Sequence, residues 1–405
     1  MRVLHIGKYY PPFAGGIEHF LADLLPALQG QGVMAAALVH DEQPRRGGQL
    51  PVADAHPPIY RAPCRGRLLY APISPAFPFW LQRAIREWQP DLLHLHLPNT
   101  SAFWALAVPA AQRLPWVIHW HADVVASTID RRLALAYRLY RPFEQRLLAA
   151  SQAIIATSPL YLEASTALAR WRTRCHVIPL GLNPARIPDP DPAAWQRGEC
   201  LWGPGSGASA SRPFRVLAIG RLTYYKGHDI LIRAAADLPN SRVLIVGAGE
   251  YRQRLAALIQ ALHLNERVFL PGFQPEADLN ALLAGCDVVC LPSLERTEAF
   301  GLVLLEAMRF GKPVVVSDIP GSGASWVVSQ AGHGSQVPLG DAWALAAALR
   351  ALHANPEWRN SLGQAGTAAL RERFGIEPVA AAITDLYRQI LSQVAHSPVP
   401  LPGTG

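Results

Sequence analysis

Two glutamates, Glu298 and Glu306, bracket an apolar run in ERTEAFGLVLLEAM (residues 295–308), with seven residues between them. In a chain that is only 17% charged, such a pair calls for a reason. On one regular helix the two would stand about 80° apart, neither sharing a face nor opposing each other. The stretch follows VVCLP, which reads as a strand, and it ends near Gly311. Glu298 is therefore expected in a loop after that strand, and Glu306 within the helix that begins beyond it. The amides of Phe300, Gly301 and Leu302 would then be helix-start donors. A loop carboxylate beside such amides can bind sugar hydroxyls. A helix carboxylate can accept two hydrogen bonds from a ribose diol.

Upstream, GRLTYYKG places Arg221 and Lys226 just after another strand-like run. Arg with its planar fork and Lys as a point charge can hold a diphosphate, or they can be two solvated surface cations. Near the start, PPFAGGIEHF sets Gly15 and Gly16 between a strand and a helix. Glycines there let backbone approach a phosphate, or simply make a tight turn. His94 and His96 end one strand-like run, and His119 and His121 end another. Alternate residues point the same way, so a zinc site is conceivable. No cysteine or carboxylate cluster accompanies them. For His94 and His119 a core role is favoured, and no metal is expected.

These residues need elements to hold them. Apolar runs recur at 2–7, 33–40, 91–96, 116–121, 153–158 and 175–181, and again at 214–220, 242–247, 267–272, 288–292 and 313–318. Most alternate with helical patterns such as GIEHFLADLLPALQG. Continuous apolar strands separated by helices indicate parallel sheets covered on both faces. Two such series predict two Rossmann-like α/β domains, 1–183 and 214–375. Ligands of such sheets bind beyond the carboxyl ends of the strands, where the polar residues above fall. Residues 184–213, rich in Pro, Gly and Ser, read as a linker with an irregular insertion. Its DPDP resembles a metal motif but lies in a Pro-rich stretch, and no role is given to it. An amphipathic helix at 376–395 and an irregular tail close the chain.

The 405 residues exceed what one core serves. The N-terminus lacks the apolar region of a signal peptide. The nearest approach to a membrane span, SAFWALAVPAAQRLPWVIHW, is broken by Arg113 and two prolines. Five scattered cysteines suggest reduced thiols in a cytoplasmic protein, with Cys286 and Cys290 as core residues. The net charge of +7 lies wholly in residues 1–183, which hold 18 Lys and Arg against 11 Asp and Glu. That half is expected to meet something anionic. Its arginines are dispersed among Leu and Ala, which fits a phosphate-bearing lipid or membrane surface at least as well as nucleic acid.

Taken together, GGIE near the start, GRL…KG at 220–227, Glu-x7-Glu at 298–306 and the following GKPVV resemble the family 4 glycosyltransferases. Their order and spacing match over nearly the whole chain. The resemblance implies a GT-B fold, a nucleoside diphosphate sugar donor and transfer with retention at the anomeric carbon. No metal or cofactor is implied. Arg221 and Lys226 would hold the donor diphosphate, Glu306 the ribose, and Glu298 with the amides after it the donor sugar. His121 would lie by that sugar, and the last helix would return to the first domain. The donor implied is GDP-mannose or a UDP-hexose, and front-face attack by the acceptor hydroxyl is favoured. The acceptor implied is a lipid-diphosphate-linked saccharide of bacterial surface polysaccharide assembly. The protein would then be cytoplasmic and peripheral on the inner face of the cell membrane, with no nucleic acid partner. The sequence departs from many relatives after GKPVVVSDIP, where GSGASWVV brings Ser325 and Trp326 in place of an acidic residue. A phosphorylase or epimerase of the same fold, or a non-catalytic nucleotide-sugar-binding protein, is the rival reading.

Overall fold

The structure, a computed structural model, describes residues 1–13, 15–41, 48–51, 56–68, 71–124, 131–203 and 212–396. The Gly/Ser-rich residues 204–211 and the tail 397–405, both read as irregular, lie outside them. The chain divides into two compact units. One holds Met1–Gly181 and the chain from Ile376 onward, and the other holds Leu182–Gly375.

The first unit is built on seven parallel strands: β1 (Arg2–Ile6), β2 (Met34–His40), β3 (Ile59–Ala62), β4 (Leu92–Leu97), β5 (Trp116–Trp120), β6 (Ala153–Ala156) and β7 (Cys175–Val177). Their spatial order is β3-β2-β1-β4-β5-β6-β7. The central strands are buried on both faces, which is why they read as unbroken apolar runs. The helix Gly16–Gly30 covers one face, burying Phe20, Leu21, Leu24, Leu25 and Leu28 at helical spacing. The last helix, Ile376–His396, packs beside it. Its inward residues Val379, Ile383, Leu386, Tyr387 and Ile390 complete this unit's core.

The second unit has six parallel strands: β8 (Phe214–Ile219), β9 (Ser241–Val246), β10 (Val268–Gly272), β11 (Val288–Leu291), β12 (Val314–Asp318) and β13 (Gly334–Pro338). Their order is β10-β9-β8-β11-β12-β13. This is a doubly wound sheet whose order reverses between β8 and β11. Its core joins Val216, Ala218, Val243, Ile245, Val288, Cys290 and Val315 to Leu231, Leu255, Leu345 and Leu349 of the covering helices.

Part of the stretch read as linker is ordered structure of the second unit. Residues Pro192–Leu201 form a helix with Asp191 as its N-cap, accepting from the Ala194 amide at 2.7 Å, and Pro192 in its first turn. It packs on the helix Glu276–Gly285. A two-pronged ion pair, Arg215 to Glu199 at 2.6 Å on each prong, ties it to β8. Asp189, the other acid of DPDP, pairs with Arg309 at 3.0 Å. Both acids thus have structural partners.

His333, fully buried before β13, has no hydrogen-bond partner for either ring nitrogen among the described residues. Burial lowers its pKa from 6.5 to about 3. The folded chain therefore holds it neutral, while the unfolded chain protonates it below 6.5. Its contribution to stability is complete above that pH and is lost as pH falls towards the folded value. Replacing His333 by Leu should reduce the loss of unfolding free energy between about pH 6.5 and 5 by about 2 kcal/mol. Urea unfolding of both proteins across that range measures it, and equal slopes would refute the assignment.

Candidate active site

The polar residues singled out in the second unit gather where its strand order reverses. β8 runs into Gly220 and Arg221, and β11 runs into Pro292, Ser293 and the loop bearing Glu298. These two loops leave neighbouring strands on either side of the switch point, which is where open α/β sheets bind ligands.

The loops are stitched together. The Leu294 amide donates to the Tyr225 carbonyl at 2.7 Å, and the Tyr224 hydroxyl donates to Glu295 at 2.9 Å. Gly227 closes the turn Tyr224–Lys226 with φ of 62°, and a Cβ there would stand 1.9 Å from the Pro292 carbonyl oxygen. Only glycine permits both the left-handed conformation and this approach.

The stitching delivers Lys226 to Glu298, with Nζ 2.5 Å from Oε2. Ser293 Oγ donates to the same carboxylate oxygen at 3.1 Å. The two side chains are only 14% and 11% exposed. Burial, the largest single influence, pushes the Lys226 pKa down, but the Glu298 charge, Tyr225 and the hydrogen bond to Glu298 together hold the ammonium above its ordinary value. Arg221, exposed at the mouth, lowers Lys226 by its like charge, which places the two cations within electrostatic reach. The sequence reading gave Lys226 and Glu298 to separate parts of a ligand. The structure makes them one ion pair.

The helix beyond the loop, Leu302–Arg309, starts behind Gly301, and among the described residues no side chain caps it. Its first amides are left for another acceptor. Phe300 precedes the helix rather than opening it, and its ring is buried edge-on to Phe374. Glu298 lies before the helix and half-buried Glu306 lies in its second turn, as the spacing predicted. The Ser322 hydroxyl donates to the Glu298 carbonyl at 2.5 Å, and the Gly323 amide to the Ala299 carbonyl at 2.8 Å, so the loop after β12 braces this one. Ser325 and Trp326 lie in the helix Gly323–Ala331, with Trp326 edge-on to Phe374.

The other expected residues belong to the first unit. Gly15 is the N-cap and Gly16 the first residue of the helix Gly16–Gly30. The space a Cβ would take at Gly15 is filled by the Glu18 carboxylate, 2.2 Å from that point. The helix start thus already faces one negative group. Burial, foremost, raises the Glu18 pKa. Glu18 is the acid of GGIE, and the sequence reading gave it no role.

His121 follows β5, and its ring joins a cluster wider than the sequence suggested. His5 of β1, His94 and His96 of β4, His119 of β5 and His121 just after it lie side by side, at most 4% exposed. His96 bridges the group, with Nε2 3.0 Å from His5 Nδ1 and Nδ1 2.9 Å from His121 Nε2. His94 Nδ1 meets the Tyr387 hydroxyl. Burial first, then neighbouring imidazoles, holds His5, His94, His119 and His121 well below the ordinary histidine value. Burial lowers His96 to about 3. His5 was legible as an alternate residue of its strand, but only the pairing of β1 with β4 shows where it points.

Residues 205–369 match the model of glycosyl transferases group 1, and residues 15–181 match a glycosyl transferase 4-like domain. An O-antigen chain mannosyltransferase C from Escherichia coli is 30% identical over 96% of this chain and 99% of its own. A D-rhamnosyltransferase from Pseudomonas aeruginosa is 31% identical over 92% of each. Among solved structures, a sucrose-phosphate synthase from Thermosynechococcus elongatus superimposes with a TM-score of 0.76 at 24% identity, covering 97% of this chain and 99% of that one. The fold is GT-B, and the site belongs to an enzyme that moves glycosyl groups. The chain belongs to the group 1 glycosyltransferases, of the family 4 type.

Proposed function

We propose that the protein transfers a manno-configured hexosyl group, with retention, from a GDP-linked donor to a lipid-diphosphate-linked saccharide, in the assembly of a bacterial surface polysaccharide at the inner face of the membrane. The observation that carries the reading is the Lys226–Glu298 pair at the switch point, with Arg221 beside it. In this reading a donor diphosphate takes the ammonium and the guanidinium, which neutralise charge as the leaving group departs. Glu298 and the amides after it face the donor sugar, and Glu306 holds the ribose. Gly15, Gly16 and His121, which the family resemblance assigns to the donor, belong to the first unit. The relatives named for mannosyl and D-rhamnosyl transfer support the sugar, since D-rhamnose is 6-deoxymannose.

Among the described residues no helix is long and apolar enough to cross a membrane. The helix Arg131–Ala150 instead exposes Leu139 and Phe143 at 71% and 47%, one turn apart, beside exposed Arg138, Arg141 and Arg146. Phe143 also lines a cavity of about 850 Å³ with Phe103, Trp104 and Leu106. Apolar side chains flanked by arginines suit an anionic bilayer surface.

The test is transfer of labelled sugar to a lipid-linked acceptor held in anionic vesicles. GDP-mannose should label the lipid phase with GDP released in step, and NMR of the product should show the donor's anomeric configuration. Leu139→Glu with Phe143→Glu should depress transfer in vesicles but spare transfer to acceptor dispersed in detergent. Nucleotide release that ignores the acceptor would sink the proposal, and preference for a UDP-hexose would sink its donor.

A further inference from the structure

We propose that His96, His119 and His121 form a binding site for one divalent transition-metal ion of the zinc type, buried in the first unit beneath the helix Gly16–Gly30. Zinc, nickel and copper take neutral imidazole nitrogens, and three such ligands with one further position is a common zinc arrangement. Here the three rings come from two neighbouring strands. His96 and His119 are register partners across β4 and β5, and His121 follows just past the end of β5, with its ring parallel to that of His119. One ligand nitrogen from each lies within 4.8 Å of the other two.

The partners of these nitrogens single out this trio. His119 is fully buried, yet among the described residues neither ring nitrogen has a hydrogen-bond partner, and His121 Nδ1 also has none. A buried imidazole always carries one N–H and one lone pair, and leaving both unpaired is costly. A metal ion takes up the lone pair. His5, His94 and His96 form a second close trio. There His5 and His94 each keep one nitrogen without a partner, but each has the other engaged, by His96 and Tyr387, so no ring of that trio is left with both unpaired as His119 is. Neutral imidazole is the form that ligates. Phe20 packs edge-on against His119 and His121 from the covering helix, at 5.1 and 5.8 Å between ring centres, so the site is apolar on its open side. An ion held here ties β4 to β5 at their carboxyl ends and fixes the ring of His121.

The experiment uses the full chain, freed of any affinity tag and grown with added zinc. Elemental analysis should find one zinc per chain, and cobalt exchanged into the site should show the intense visible bands of low-coordinate Co²⁺. In His119→Phe, which refills the space with an apolar ring, metal content should fall roughly tenfold or more. His5→Phe, which removes the hydrogen-bond partner of His96 Nε2 but none of the three ligands, should keep more metal than His119→Phe. Zinc should raise the melting temperature of the metal-stripped wild type and leave that of His119→Phe unchanged, a comparison that needs no catalytic assay. Wild-type protein without stoichiometric zinc and without cobalt bands would overturn the proposal. So would retention of metal in His119→Phe, or its loss in His5→Phe alone.

Discussion

Lys226→Met should lower glycosyl transfer by roughly 10²–10³-fold and also destabilise the second unit, because the lysine serves two partners. In the proposed reading its ammonium meets the departing diphosphate. It is also the counter-ion of Glu298 at 2.5 Å, where both side chains are largely shielded from water. Removing one member of such a pair leaves an uncompensated charge and costs about 3–5 kcal/mol. The double variant Lys226→Met/Glu298→Gln should recover most of that stability, since no lone charge remains. It should recover none of the transfer. Denaturant unfolding and initial rates on the three proteins separate the effects. If stability and transfer return together, the lysine is only a structural counter-ion and has no part in the chemistry.

Glu306→Gln is expected to weaken binding of free nucleoside diphosphate by about 1.5–3 kcal/mol, or roughly 10- to 150-fold, if its carboxylate grips the ribose. Glu298→Gln should behave in the opposite way. The ion pair changes the expectation drawn from sequence, in which Glu298 touched only sugar. Neutralising Glu298 releases Lys226 from its carboxylate, so nucleoside diphosphate affinity should hold or rise while transfer falls. Calorimetric titration of both variants with nucleotide alone distinguishes them. Equal weakening in both would mean that the ribose and sugar roles of the pair are misassigned.

The central strands were legible because they are buried on both faces, where burial demands an unbroken apolar run, and the edge strands β7 and β10 were found as well. Two strands of the large sheets that it missed, Ile59–Ala62 and Gly334–Pro338, lie at sheet edges. Edge strands alternate with water-facing residues and are short, so IYRA and GSQVP carry little pattern. The helix Pro192–Leu201 was hidden by the Pro and Gly around it, although Asp191 followed by Pro192 is a start signal. Within the site, the loop position of Glu298 and the helical position of Glu306 followed from local pattern. The union of Lys226 with Glu298 did not, because 72 residues separate them and only the adjacency of β8 and β11 brings them together. The five-membered histidine cluster was only partly legible for the same reason: each strand shows its own alternation, but neighbours are assigned by topology.

The chain leaves the first unit after Gly181 and re-enters it at Ile376, and these crossings are bound to each other. Leu182 donates its amide to the Phe374 carbonyl at 2.9 Å and bridges Gly375. The second unit is thus an insertion closed at its own base. During synthesis, its last residue leaves the ribosome before the segment that carries Ile383, Leu386 and Tyr387 into the first core. The half made first must therefore wait, with one face of its sheet short of a helix, while the half made second has everything it needs. In order of completion the protein is assembled from its middle outwards.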